Sequence, residues 1–275
     1  MKVTIFQFAF VVIALFCCIA CDPKKSTEPE EPEKPVTPEQ RNTAIDSIYR
    51  YSLSNGTEKL QQVIFYTYDK AGNITCQLDS MTLVKYLHKT EMKYDSHNNL
   101  TDKIDYMYVD EDNWDKEAWI EYTYSGNDKL ASNVFYIYLG DIKVLVQKGT
   151  YTWQDDTHAQ CVAYTYDLKN LLGETTLSSI QSIEYTYNTR GDVVKSVAYD
   201  FANEVLGECL STDDYVYDEY GNVTSHIYKE KDIVKWQETN KYEYDSAGNI
   251  LVRWYSSSSS ETPPASPTTK YVYFY

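Results

Sequence analysis

The chain has 275 residues, with 41 acidic against 25 basic side chains, a formal charge of −16 and 28 tyrosines. That balance argues against nucleic acid and against anionic membrane surfaces as partners. Of six cysteines, Cys17, Cys18 and Cys21 sit at the start, and the odd set Cys76, Cys161 and Cys209 excludes a fully paired disulfide framework.

Residues 1–20 carry Lys2 and an apolar run from Val3 to Ile19, and read as a secretory signal rather than a transmembrane span. Cys18-Ile19-Ala20-Cys21 resembles a bacterial lipobox, with Cys where Leu is usual, so Cys21 is expected to become the lipidated first residue of the mature chain. Residues 21–41 are Pro-, Glu-, Lys- and Thr-rich and bury too little to order themselves, which makes them a tether. Asp22 and the run Glu28, Glu30, Glu31 and Glu33 resemble export signals of Bacteroidota surface lipoproteins. The expected location is the outer membrane, held only by the lipid and facing the cell surface; the alternative is its periplasmic face.

Residues 42–275 read as one domain. Its unit is clearest at Tyr242-Glu243-Tyr244-Asp245-Ser246-Ala247-Gly248-Asn249-Ile250. Asp at the first turn position and Gly at the fourth predict a type I turn with a G1 bulge, closing a tight hairpin. The expected register puts Tyr244 opposite Ile250 and Tyr242 opposite Val252. Copies occur at Tyr68-Asp69-Lys70-Ala71-Gly72-Asn73 and Tyr217-Asp218-Glu219-Tyr220-Gly221-Asn222, with Asn188 for Asp after Tyr187 and Asn98 for Gly after Tyr94-Asp95. Tyr124 and Trp153 head poorer copies. The repeat aromatics at 68, 94, 124, 153, 187, 217, 244 and 273 lie 26 to 34 residues apart, a spacing that means repeat architecture.

These motifs resemble the YD repeat of RHS-type proteins, a family that builds β-shells. The resemblance implies a fold far more than a function.

Within each period, alternation predicts two strands. Ala118, Ile120, Tyr122 and Tyr124 share one face, and Glu117, Glu121 and Thr123 the other. The expected fold is all-β, an antiparallel up-and-down meander of about 16 strands curled into a barrel or flattened barrel. The stretch Tyr166–Asn170 breaks the period and is expected to belong to a loop running through Ser179. The last strand, Lys270–Tyr275, would be an aggregation hazard on an open edge, so it is expected to pair with the first strand, Ile45 to about Ser52. Charges in mid-strand on the second face disfavour an outer-membrane pore.

Most tyrosines are explained by packing. Trp119, Phe135 and Tyr255 are expected on the opposite, polar face, with Trp114, Trp236 and Trp254 near strand ends. Of these, Trp119, Phe135, Trp236, Trp254 and Tyr255 are the ligand candidates. Asp110, Asp112 and Glu121 match a calcium loop poorly, since Asp115 stands where Gly is needed. His158 beside Asp155 and Asp156 reads as loop rather than metal site, and no cofactor or metal is expected. The sequons Asn73-Ile74-Thr75 and Asn222-Val223-Thr224 fall out of the repeat itself. The leading expectation is a non-catalytic, lipid-anchored binding module for a glycan or another envelope protein. The alternatives are a structural shell or spacer and, third, a glycoside hydrolase.

Overall fold

The computed structural model describes residues 44–82, 86–110, 113–170, 173–259 and 266–275. The expected signal peptide, the acylation site Cys21 and the tether lie outside the described residues, as do Asp112 and part of the loop before the last strand.

Sixteen strands follow one another: β1 (Ser47–Ser54), β2 (Thr57–Tyr68), β3 (Ile74–Met81), β4 (Tyr86–Tyr94), β5 (Leu100–Asp110), β6 (Asn113–Tyr124), β7 (Leu130–Leu139) and β8 (Ile142–Trp153). The second half adds β9 (His158–Leu168), β10 (Thr175–Tyr187), β11 (Val193–Ala202), β12 (Val205–Tyr217), β13 (Val223–Glu230), β14 (Ile233–Tyr244), β15 (Ile250–Ser258) and β16 (Thr269–Phe274). Each pairs antiparallel with its sequence neighbours, and β16 pairs with β1 from Ser47↔Phe274 to Ser52↔Thr269, so the meander closes into a barrel as the apolar terminal strand requires.

The repeat turns form because one carboxylate satisfies several donors. The Oδ1 atom of Asp69 accepts the N–H groups of Ala71 and Asn73, and its Oδ2 accepts the Asn73 side-chain amide. Gly72 closes the turn onto the Asp69 carbonyl at φ +87°. Asp218 and Asp245 repeat the pattern, while Asn98 takes the left-handed position in the second copy at φ 65°. Successive turns touch one another. Asn73 donates to Asn98, Asn99 donates to Asp128, Lys129 pairs with Asp156, and Arg190 donates to the Asp218 carbonyl. A belt of turns therefore rims this end of the barrel.

Just after each good turn the register slips by one. Tyr68 faces Ile74 while Thr67 faces Cys76, leaving Thr75 as the bulged residue, and the same slip recurs at Tyr94, Tyr124, Tyr187, Tyr217 and Tyr244. This corrects the expected register: Tyr244 faces Ile250 as anticipated, but Tyr242 faces Arg253, because the bulge falls inside the strand pair and not only in the turn. The hydroxyls of the bulged Thr75, Thr101 and Thr224 donate to the carbonyls of Thr67, Lys93 and Val216. The two sequon threonines are thus bulge residues. Trp153, in a poor copy, faces Ala159 without a slip.

The repeat aromatic then bonds across to the start of the preceding strand. Tyr94 donates to the carbonyl of Ile74 (2.9 Å), Tyr124 to Leu100 (2.9 Å), Tyr217 to Val193 (2.7 Å), and the Trp153 indole to Leu130 (2.9 Å). At the end of the chain the same bond comes from a tyrosine two residues away from the repeat position: Tyr242 donates to the Val223 carbonyl and Tyr275 to that of Ile250, while Tyr244 donates to Asp218.

The far end closes with two-residue turns. Asn55-Gly56, Asn203-Glu204 and Lys231-Asp232 all have φ > 0 at both positions, the signature of type I′ hairpins. The stretch Tyr166–Asn170 is a further correction: residues 166–168 stay in β9, Lys169 donates to the Glu174 carbonyl, and Gly173 at φ +84° donates to that of Asn170.

Cross-strand partners share a face, and the pairing carries one face unbroken around all sixteen strands. That face holds Ile48, Leu100, Ile120, Tyr122, Ala159, Cys161, Ala163, Ile183, Tyr185 and Tyr187, all buried, which makes it the inner, concave one. On β9 its side chains are small, and over them Tyr151 meets Tyr185 at 6.2 Å and Trp153 stacks on Tyr187 at 5.0 Å.

Candidate functional site

The five candidate residues do not come together. Trp119 is on the outer face, where its indole N–H donates to Asp102 (2.9 Å) and its ring lies 6.2 Å from Tyr136. The Lys143 ammonium sits 3.4 Å above the Trp119 ring and 3.7 Å from that of Tyr136, tied also to Glu121 at 3.1 Å. The protein's own cation therefore occupies the ring face that a sugar would use. Trp254 is also outside, donating to Glu243 (3.0 Å) beneath Lys270.

The placement of Phe135 and Tyr255 on the polar outer face is corrected. Phe135 faces Ile120 and packs against the Leu100, Ile120 and Tyr122 cluster; Tyr255 faces Asn240 and lies under Arg253. Both are on the inner wall, because bulges shift the alternation that a straight count follows. Trp236 is inside as well, edge-on to His226 at 5.0 Å.

The inner wall carries chemistry that the candidates did not include. On β12 and β13, Asp213 accepts from His226 Nε2 (2.7 Å) and from the Ser196 hydroxyl (3.0 Å), with Tyr215 stacked 4.1 Å from the imidazole. On β3 to β6, His88 lies among three carboxylates: Asp79 at 3.9 Å, Asp105 at 4.0 Å and Glu117 at 3.7 Å. Burial pushes the Asp79 carboxyl up, against the Gln77 amide that donates to it. His158, by contrast, is the exposed first residue of β9, 3.0 Å from Asp155, and no group of metal-binding geometry occurs among the described residues.

A third cluster spans the seam. In register across β2, β1, β16, β15 and β14 stand Gln62, Arg50, Tyr271, Arg253 and Tyr242. Arg253 donates to Asn240 (2.8 Å) and its guanidinium carbon lies 5.0 Å from the Tyr271 ring. Burial opposes its charge, but Tyr242, Tyr273, Tyr271 and Glu238 around it leave its value raised above the ordinary one. Arg50 donates to Gln62 (3.3 Å), and its buried Nε has no hydrogen-bond partner among the described residues. The signal for these residues was an arginine at an inward position of a tyrosine-rich strand, which only the correct register exposes.

No family model matches the chain, and no curated protein does. Among solved structures, a porin-like protein from Bacteroides vulgatus is similar at 10% identity and a TM-score of 0.46, over 85% of this chain and 99% of that one. A porin-like protein from Bacteroides uniformis is similar at 12% identity and a TM-score of 0.36, over 87% and 98%. A DUF3836 family protein from Parabacteroides distasonis is similar at 17% identity and a TM-score of 0.28, over 37% and 89%.

Proposed function

We propose that this protein is a non-catalytic binding shell of the cell envelope, tethered through a lipid on Cys21 and taking a polar, sugar-like ligand against its inner wall. The observation that carries this reading is the composition of that wall. Arg50, Arg253, Asp213, His226 and Asp79 stand among its tyrosines, and charged groups in a filled, dry core would each be costly. A sixteen-stranded barrel is wide enough to enclose solvent or ligand instead. Tyrosines beside hydrogen-bonding and charged groups suit a carbohydrate, which offers flat apolar faces and many hydroxyls.

The porin-like names of two similar structures are not carried over to this chain. Its outer face bears Lys89, Lys148, Glu184 and Asp214 within strands, and a lysine at mid-bilayer costs roughly 2–4 kcal/mol. The envelope location rests on the sequence of residues 1–41. The repeat geometry supports the resemblance to YD repeats, whose shells enclose something.

The polar clusters favour binding over catalysis at one point. In a hydrolytic triad the imidazole lies between hydroxyl and carboxylate, whereas here Asp213 lies between Ser196 and His226, so the imidazole cannot activate the hydroxyl. The acids around His88 favour the second reading, a glycoside hydrolase with Asp79 as the proton-holding acid.

Both are tested by titrating neutral and acidic oligosaccharides into the purified protein by calorimetry, with an assay for new reducing ends. Saturable binding without cleavage, weakened by Tyr271→Ala, supports the shell. New reducing ends abolished by Asp79→Asn establish the hydrolase, and absence of binding to every oligosaccharide overturns the glycan reading.

A further inference from the structure

We infer that the inner wall at the seam of the barrel, around Arg50, is a binding site for a carboxylate, the group carried by acidic sugars. The inference rests on the binding reading above and adds the chemical class of the ligand.

The seam places two of the chain's four arginines on one inner row, separated by a single tyrosine: Arg50 faces Tyr271 across β1 and β16, and Tyr271 faces Arg253 across β16 and β15. The two differ in how far their charge is answered. Arg253 has Asn240 as acceptor, aromatic rings on Tyr255 and Tyr271, and Glu238 nearby as counter-charge. Arg50 has the neutral side chains of Gln62 and Tyr271 in register with it, and no acid stands at either position.

The guanidinium of Arg50 is committed at one corner only. Its Nη1 donates to Gln62 Oε1, a neutral acceptor, at 3.3 Å, and its Nε–H is buried without an acceptor among the described residues. A buried unsatisfied donor costs about 1–3 kcal/mol, more when charged. In a chain of net charge −16, a half-buried arginine with a buried Nε–H left in this state is unusual, since acids are abundant and any one placed in register would satisfy it. Guanidinium presents a planar fork that matches a carboxylate in two parallel bonds, which an ammonium cannot do. Tyr271 between the arginines offers a ring face beside the fork, so a sugar ring could lie on it while its carboxylate meets Arg50. Glu238, on the far side of Arg253, sets the limit of the site by repelling a second anionic group there.

The test uses the full chain and three probes in calorimetry at low salt: a trimer of galacturonic acid, the neutral galactose trimer, and sodium acetate. The expected result is that the acidic trimer binds at least ten-fold more tightly than the neutral one, that the preference falls at least ten-fold in Arg50→Gln, and that Arg50→Lys does not restore it. If Arg50→Gln fails to fold, the Arg50→Lys variant, which keeps the charge and loses the fork, carries the test by the same ten-fold loss. Acetate binding as tightly as the acidic trimer would show a bare carboxylate site with no role for the sugar ring, and would overturn the acidic-sugar form of the inference. Equal binding of the acidic and neutral trimers, or an acidic preference untouched by both Arg50 variants, overturns the site while leaving the binding shell standing. Absence of binding by both trimers while other oligosaccharides bind likewise overturns the site, and absence of binding by every oligosaccharide overturns the glycan reading on which it rests.

Discussion

The indole N–H of Trp153 donates to the carbonyl of Leu130 at 2.9 Å, the bond that the hydroxyl of Tyr124 makes to Leu100 one repeat earlier. A degraded copy of the repeat therefore keeps the function of its aromatic: it reaches from the end of one strand to the start of the strand before the last turn. Tyr124→Phe removes only the hydrogen bond and is expected to cost about 1 kcal/mol. Trp153→Ala also empties its stack on Tyr187 and is expected to cost about 3–5 kcal/mol. Urea titration followed by tryptophan and tyrosine fluorescence gives both values, and equal costs would show that the hydrogen bond matters more than the ring.

The left-handed positions of the turns separate backbone strain from packing. A Cβ added at Gly72 would meet nothing within 4 Å, yet φ there is +87°. Gly72→Ala is expected to destabilise by about 1–2 kcal/mol through conformation alone. At the matching position of the next turn, Asn98→Gly relieves the same strain at φ 65° but removes the acceptor of the Asn73 amide, and is expected to leave the melting temperature nearly unchanged.

Acid should weaken the belt of turns. Asp69 is held below its ordinary value by the Asn73 side chain and backbone, and Asp245 by Asn249 in the same way. Asp155 is lowered to about 2, chiefly by the backbone and hydroxyl of Thr157 and then by His158. A carboxyl whose folded value is depressed adds stability that is full above its unfolded value of 3.8 and is lost as pH falls through the folded one. Chemical denaturation at pH 6, 4 and 2.5 should show little change over the first step and a clear fall over the second. A uniform decline from pH 6 would implicate other groups.

Alkali should act through the inner wall. Burial first, and then neighbouring acids and tyrosines, raise Tyr66 and Tyr228 well above 10, and burial likewise raises Tyr273. For such groups stability is full below the unfolded value near 10 and is lost as pH rises toward the folded one. Tyrosine ionisation followed at 295 nm should show an exposed fraction titrating near pH 10 and a second fraction appearing only with unfolding. A single transition near 10 would mean that the inner tyrosines are solvated.

The fold was legible because each repeat states its turn and its tyrosine face within nine residues, as at Tyr242 to Ile250. The terminal pairing was legible from one argument, that Tyr271 to Phe274 cannot be left on an edge. The bulge is where reading stopped. It inserts Leu251 between Ile250 and Val252, so Arg253 rather than Val252 faces Tyr242, and simple alternation along the strand does not put the arginine on the inner wall. Phe135 and Tyr255 were misplaced on the same ground. The polar clusters could not be found by spacing, because Asp213 and His226, or Asp79 and His88, meet across strands whose register depends on those slips. The Lys143 ammonium over Trp119 depends on β8 reaching across β7 to β6, which no local pattern encodes.

The pairing of β1 with β16 closes the barrel and so creates an enclosed inner wall. Tyr49 and Val272 face each other in mid-strand across that seam. Antiparallel partners have Cα atoms about 4.5–5.5 Å apart, within the range a disulfide spans. In residues 42–275 with Cys76, Cys161 and Cys209 replaced by serine or alanine, the pair Tyr49→Cys and Val272→Cys should oxidise quantitatively in the folded protein, giving a faster-migrating band on non-reducing gels and a higher melting temperature. A double variant that folds with an unchanged β-sheet spectrum yet forms no intramolecular disulfide would show that the seam is open.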